Sequence, residues 1–134
     1  MVNNESVEMY LETIYILEKE HGHAHGAEIA KRLGVTKPSV SKAMKYLKEK
    51  GLIVKEHYGT ITLTSEGRSV SKRIYKNHRL ITLFLEDSLK LKKVEAEKNA
   101  CKIEHVISDE MIEAIEEYLV KQNIDVGIEN ELEA

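Results

Sequence analysis

AEIAKRLGVTKPSVSKAMKYLKEKG, residues 27–51, decides the architecture, because it reads as two short helices joined by a tight turn. In the first, Ile29, Ala30 and Leu33 recur at helical spacing, and Gly34 supplies the left-handed residue on which helices commonly stop. Thr36 then suits an N-cap, and Pro38 falls in the first turn, where a missing N–H costs nothing. Val40, Ala43, Met44 and Leu47 make the buried stripe of the second helix, which Gly51 ends. The result is a helix-turn-helix pattern whose second helix is opened by small hydroxyl residues and studded with lysine.

Working forward, LIVKEHYGTITLT (residues 52–64) alternates around Tyr58-Gly59 and predicts a two-stranded hairpin. Helix-turn-helix plus hairpin is a winged helix. In such a module the second helix enters the major groove and presents its N-terminal residues, here Thr36, Lys37, Pro38, Ser39, Ser41 and Lys42. Lys45, Lys48 and Lys55 would add contacts to phosphates. A winged helix can also serve protein contacts, and lysines can be only the solvated faces of helices. Charge bears on that choice: residues 24–73 hold eleven Lys or Arg against four Asp or Glu, whereas the remainder holds nine against nineteen. A basic segment inside a protein of net charge -3 points to a polyanionic partner, double-stranded DNA.

Working back, VEMYLETIYILEKE (residues 7–20) places Val7, Tyr10, Leu11, Ile14, Tyr15 and Leu17 at helical spacing. HGHAHG (residues 21–26) follows as a glycine-broken connection. Its alternating His21, His23 and His25 tempt a metal reading, yet in a glycine-broken loop nothing preorganises them, and carboxylate or thiolate support is expected to be absent nearby. Downstream, a capped helix starts at Thr64 or Ser65 and runs through EGRSVSKRIYKNHRLITLFLED (residues 66–87). Its second half is apolar on more than one side, which suits packing within the subunit and against a second copy. A further helix is expected from Lys93 to Val106, and Ser108 caps another over DEMIEAIEEYLVKQ (residues 109–122). The acidic end, residues 124–134, is expected to fray.

The chain of 134 residues is long enough for one domain or two small units. We divide it into a winged-helix DNA-binding domain, residues 1–72, and an α-helical domain, residues 73–134, giving a mostly α fold. A large multi-step enzyme is excluded by length. One cysteine cannot close an intramolecular disulfide, no charged-then-apolar leader opens the sequence, and no apolar run reaches the roughly 20 residues that span a bilayer. The cytoplasm is therefore the expected location.

That cysteine stands in CKIEHVIS (residues 101–108), with Glu104 three positions on and His105 four on. Helical spacing would place all three on one face. As a nucleophilic dyad they lack an evident cleft and oxyanion hole; as scaffold, the cysteine would be core and the others surface. As metal ligands they combine soft sulfur, hard oxygen and borderline nitrogen, a set suited to a divalent first-row transition metal. Further ligands would have to come from elsewhere, and Met9 and Glu12 on the first helix and His78 on the long helix are the candidates. Such an ion would tie the first helix to the second unit.

These residues bring a known family into view. The VEMYLETIY opening, VTKPSVSKAMKYLKEKGLI, LTSEGRSVSKRIYKNHRL and ACKIEHVISDE resemble the diphtheria toxin repressor and manganese transport regulator family of metal-dependent transcriptional repressors, over essentially the whole chain. The resemblance implies a homodimer with a winged-helix domain and a helical metal-binding and dimerisation domain. It also implies that Met9, Cys101, Glu104 and His105 match the primary site of the iron-responsive branch. His78 matches a ligand of a second site in that branch and of the metal pair in the manganese branch, and Glu12 matches a carboxylate of the manganese branch.

Departures from the family pattern refine the expectation. The manganese branch has aspartate at Met9 and glutamate at Cys101, so two soft ligands favour Fe(II) over Mn(II). The iron branch has a carboxylate at Thr82 and a histidine at Glu97, so its second site is not intact here, and Glu12 or Glu97 could serve instead. That branch also carries an SH3-like domain for which no residues remain. The expected function is repression of metal-uptake or metal-homeostasis genes, with metal promoting operator binding by the homodimer; the alternatives are a metal-independent regulator or a metal-buffering protein.

Overall fold

A computed structural model describes residues 4–126. The elements in chain order are α1 (Asn4–His21), β1 (Ala24–His25), α2 (Gly26–Leu33), α3 (Lys37–Glu49), β2 (Ile53–Lys55), β3 (Thr60–Leu63), α4 (Ser65–Leu89), α5 (Lys93–Ile103) and α6 (Asp109–Lys121). They fall into two compact units, Met1–Lys72 and Arg73–Ala134. The acidic residues 127–134, expected to fray, lie outside the described residues.

The first unit is a winged helix. Thr36 caps α3, its hydroxyl oxygen accepting from the Ser39 N–H at 3.2 Å, and Pro38 sits in the first turn. Gly34 takes the left-handed conformation that ends α2, with φ 67°. Val40, Ala43, Met44 and Leu47 are buried, as are Ile14, Tyr15, Ile29, Ile53 and Ile61 of the same unit. Each such large side chain contributes about 1.5–3 kcal/mol through removal from water, so the α3 stripe alone anchors the helix firmly.

The hairpin of β2 and β3 pairs Ile53 with Leu63 and Lys55 with Ile61. A third strand joins it: β1 pairs antiparallel with β3, Ala24 opposite Ile61, so the sheet order is β1-β3-β2. The expected two-stranded wing is thus the outer part of a three-stranded sheet. A two-residue strand leaves no alternation to read, and what places it is the fully buried Ala24. Glu18 of α1 holds this sheet, its carboxylate accepting from the Leu63 N–H at 2.9 Å and pairing with the Arg68 guanidinium.

Thr64 links the end of α3 to the start of α4. Its hydroxyl donates to the Gly51 carbonyl at 2.7 Å and accepts from the Gly67 N–H at 3.1 Å. Gly67 is buried, and a Cβ there would overlap the Leu52 carbonyl, with the carbonyl carbon at 2.9 Å. The close approach of helix to backbone therefore depends on glycine.

In the second unit, Leu80, Ile81 and Leu85 of α4, Ala96 and Ala100 of α5, and Ile115 and Leu119 of α6 form the core. The alanines let α5 approach closely. Ser108 caps α6, accepting from the Met111 N–H at 3.2 Å. The Tyr118 hydroxyl donates to Asp87 Oδ2 at 2.8 Å, and its ring meets Phe84 edge-on at 5.2 Å. That hydrogen bond, more than burial, pushes the Tyr118 phenol above its ordinary pKa.

The helix expected to reach Val106 stops at Ile103. Glu104 is its C-cap, and the Val106 N–H turns back to the Ile103 carbonyl at 3.0 Å in a three-residue step. Tightening of the last turn satisfies carbonyls that a longer helix would have covered.

Candidate metal centre and nucleic-acid interface

Glu104 is the centre of a buried polar cluster. Its side chain has no exposed surface, and Oε2 lies 2.8 Å from His78 Nδ1 while Oε1 lies 3.3 Å from His105 Nε2. His105 is buried to the same degree, with a side chain 1% exposed, and His78 remains at 21%. A hydrogen bond joins Glu104 Oε2 and His78 Nδ1, the ring tautomer deciding which atom donates. Taking a carboxylate out of water is costly unless it is paired; His78 hydrogen-bonds Oε2, while the contact of Oε1 with His105 Nε2 is not a hydrogen bond.

Cys101 lies one helical turn before this carboxylate and opens on the surface. Ligand atoms of Cys101 and Glu104 are within 4.8 Å of each other. The second unit therefore brings together His78, Cys101, Glu104 and His105 from α4, α5 and the turn after it. Glu104 is the C-cap of α5 and keeps right-handed helical backbone, its N–H donating to the Ala100 carbonyl at 2.9 Å, so Cys101 and Glu104 stand one turn apart. Met9 and Glu12 stand on α1, one turn apart and half-buried, in the first unit.

The donor types suit a divalent first-row ion: around the Glu104 carboxylate stand the His78 imidazole at Oε2, the His105 imidazole at Oε1 and the Cys101 thiol, a mix of hard, borderline and soft atoms. The thiol would bind as thiolate, the carboxyl as carboxylate and each imidazole through a ring nitrogen that carries no hydrogen. Thr82, which the sequence presents only as a departure from the family, supports this cluster. Fully buried, it donates to the His78 carbonyl at 2.8 Å and so steadies the turn that carries the imidazole. Glu97 instead pairs with Lys93 at 4.0 Å, and its side chain is 44% exposed.

On the winged helix, Thr36, Lys37, Pro38, Ser39, Ser41, Lys42 and Lys45 are all exposed, while the alternate face of α3 is buried. Thr36 has a structural duty as well, since its hydroxyl caps the helix and donates to Ser39 Oγ at 2.9 Å. Lys55 is exposed on β2. His21 lies 3.7 Å from Glu28 and 3.8 Å from Glu20, and the His23 and His25 rings meet edge-on at 4.8 Å, so the three histidines do not converge. No helix among the described residues is long and apolar enough to cross a membrane.

Residues 4–61 match the family model of the iron dependent repressor, N-terminal DNA binding domain. Residues 64–125 match that of the iron dependent repressor, metal binding and dimerisation domain. The chain is 36% identical over 119 residues to an uncharacterized HTH-type transcriptional regulator of Methanocaldococcus jannaschii, covering 88% of this chain and 95% of that one. With the diphtheria toxin repressor of Corynebacterium diphtheriae it shares 36% identity over 123 residues, 92% of this chain and 53% of the relative. The manganese regulator SloR superposes with a TM-score of 0.75 at 31% identity, over 89% of this chain and 54% of its own. The chain thus spans about half the length of the last two.

Proposed function

The chain belongs to the iron-dependent repressor family, and from that premise we propose that it is a cytoplasmic, homodimeric repressor of metal-uptake or metal-homeostasis genes whose operator binding is switched by Fe(II) in preference to Mn(II). The observation that carries the reading is the Glu104 carboxylate held between His78 and His105 in the interior. A buried, preassembled oxygen and nitrogen set is costly as scaffold and useful as a coordination site. His78, Cys101, Glu104 and His105 are assigned as ligands, and Met9 and Glu12 complete the set on the strength of the family resemblance. Residues 1–72 are assigned to DNA reading and 73–134 to metal binding and dimerisation.

When bound, the ion supplies charge and directional bonds that hold its donors in one arrangement. The chain does the rest. Thr82 fixes the His78 backbone, and the α3 stripe keeps Lys37, Ser39, Ser41, Lys42 and Lys45 facing out for bases and phosphates. Metal and operator are coupled if the metal-bound arrangement of the dimer spaces its two recognition helices for adjacent major grooves. A coupling of about 1–3 kcal/mol, roughly 5- to 150-fold in affinity, is ordinary for such a switch. The preference for iron rests on the thiol and thioether, softer than the carboxylates at the same places in the manganese branch.

An anaerobic titration with Fe(II), Mn(II) and Zn(II), following binding to a DNA fragment from upstream of the protein's own gene, tests this. The expected result is at least about a tenfold gain in affinity with one metal, or roughly 1.4 kcal/mol. Lys42→Ala should weaken operator binding while leaving metal affinity without DNA unchanged. Unchanged binding to a recognised fragment with every metal would leave a metal-independent regulator.

A further inference from the structure

Among the described residues the buried polar side chains are those of Thr13, Ser71, Thr82 and Glu104. Glu104 is the hub of the candidate metal centre, and Ser71 ties α4 to the Leu11 carbonyl at 3.3 Å. The two threonines share a different arrangement. The Thr82 hydroxyl donates to the His78 carbonyl at 2.8 Å, and the Thr13 hydroxyl donates to the Met9 carbonyl at 2.9 Å. Each back-bonds to a residue of the candidate ligand set, one helical turn earlier. Packing does not explain the choice, since valine has nearly the same shape and brings no hydroxyl that burial makes costly. Nor does either helix need the bond, because a carbonyl inside α1 or α4 already accepts the N–H four residues on. A second donor at the same oxygen bends the turn, at a small cost in stability.

We propose that Thr82 and Thr13 are positioning residues of the metal centre: each hydroxyl sets the bend of its helix at one ligand, and so where that ligand's donor atom stands. The inference rests on the metal-centre reading above and goes beyond it in naming what tunes the site. At His78 the ring is tied to Glu104 Oε2 at 2.8 Å while the backbone is tied to Thr82, so the imidazole is held from both ends. The carboxylate can turn toward an ion, and the backbone tie stays. Thr82 is fully buried and neutral, with its hydroxyl hydrogen committed to the His78 carbonyl, so it acts through His78 and is not itself a ligand. Thr13 stands in the same relation to Met9 within the first unit.

Anaerobic titration of the full chain with Co(II) in the absence of DNA, read by ligand-field absorption beside a thermal melt, tests this. Thr82→Val removes the hydroxyl and keeps the shape, whereas Thr82→Ser keeps the hydroxyl. Loss of a group that orients a ligand typically weakens metal binding about 10- to 100-fold, so Thr82→Val is expected to bind Co(II) at least about tenfold more weakly, with shifted bands. Its melting temperature should equal or exceed that of the wild type, because the lost back-bond is mildly destabilising. Thr82→Ser should restore affinity and bands, and Thr13→Val should weaken binding as Thr82→Val does. Ser88→Ala removes a back-bond to the Phe84 carbonyl at 2.7 Å, where no candidate ligand stands, and should bind Co(II) like the wild type. Wild-type affinity and bands in Thr82→Val, a loss that Thr82→Ser does not restore, or a Thr82→Val that loses its fold along with its metal overturns the proposal, and unchanged binding by Thr13→Val overturns its α1 half. A wild type that binds no Co(II) would sink the metal-centre reading and this proposal together; a wild type that binds it, with Thr82→Val unchanged, sinks the proposal alone.

Discussion

His78 and Glu104, twenty-six residues apart, meet at 2.8 Å through Nδ1 and Oε2. The contact joins the middle of α4 to the residue that ends α5, so the carboxylate is both the cap of a helix and the hub of the candidate metal centre. Replacing Glu104 by glutamine keeps the size but removes the charge and turns one acceptor oxygen into an NH2 donor. Glu104→Gln is expected to fold, and to bind Fe(II) or Mn(II) at least about tenfold more weakly, which is about 1.4 kcal/mol. Calorimetric metal titration beside a thermal melt reads both; collapse of the fold with the loss of metal binding would make Glu104 structural.

Cys101 is exposed at the edge of the same cluster. Truncating an exposed side chain changes stability by no more than about 0.5 kcal/mol. Cys101→Ala should therefore melt like the wild type while losing the metal-induced gain in DNA affinity. A variant that retains the full gain would remove the thiol from the ligand set, and with it the reason to favour iron.

At Gly67 two effects oppose each other. Alanine is the better helix former by about 1 kcal/mol, but its Cβ would overlap the Leu52 carbonyl, and backbone cannot swing aside as a side chain can. Overpacking of this kind costs about 1–3 kcal/mol, so the clash wins. Gly67→Ala is expected to lower stability in urea denaturation, and a stabilised variant would contradict the close approach.

The Tyr118–Asp87 pair makes stability sensitive to alkali. The hydrogen bond to Asp87 raises the phenol pKa above its ordinary 10.0, so the folded state holds this proton more tightly than the unfolded chain. Its contribution is complete below about pH 10 and is lost as pH rises through the raised value. Tyr118→Phe keeps the ring against Phe84 and should show a shallower loss of stability above pH 10 than the wild type. Parallel losses in denaturation series from pH 8 to 11 would show that the pair adds nothing.

Much of the winged helix was legible in the order of residues, because caps and stripes are local. Thr36 and Ser108 announce helix starts through bonds to amides three residues on, and the Val40, Ala43, Met44, Leu47 spacing follows from 3.6 residues per turn. The alternation that disclosed β2 and β3 had no counterpart in the two residues of β1, whose Ala24 pairs with Ile61, thirty-seven residues downstream. The candidate ligands could be named by type and spacing, and the family resemblance gathered them.

What the order of residues determined by itself was the set of elements and the donor chemistry, since both depend on neighbours within a turn or two. Tertiary structure alone decided that Glu104, at the end of its helix, is buried between His78 and His105, that Thr82 steadies that meeting, and that Lys37 and Lys55 line one recess. The physical reason is that burial and pairing across long sequence separations come from how helices pack, and a periodic pattern records which side of a helix is apolar without recording what will face it.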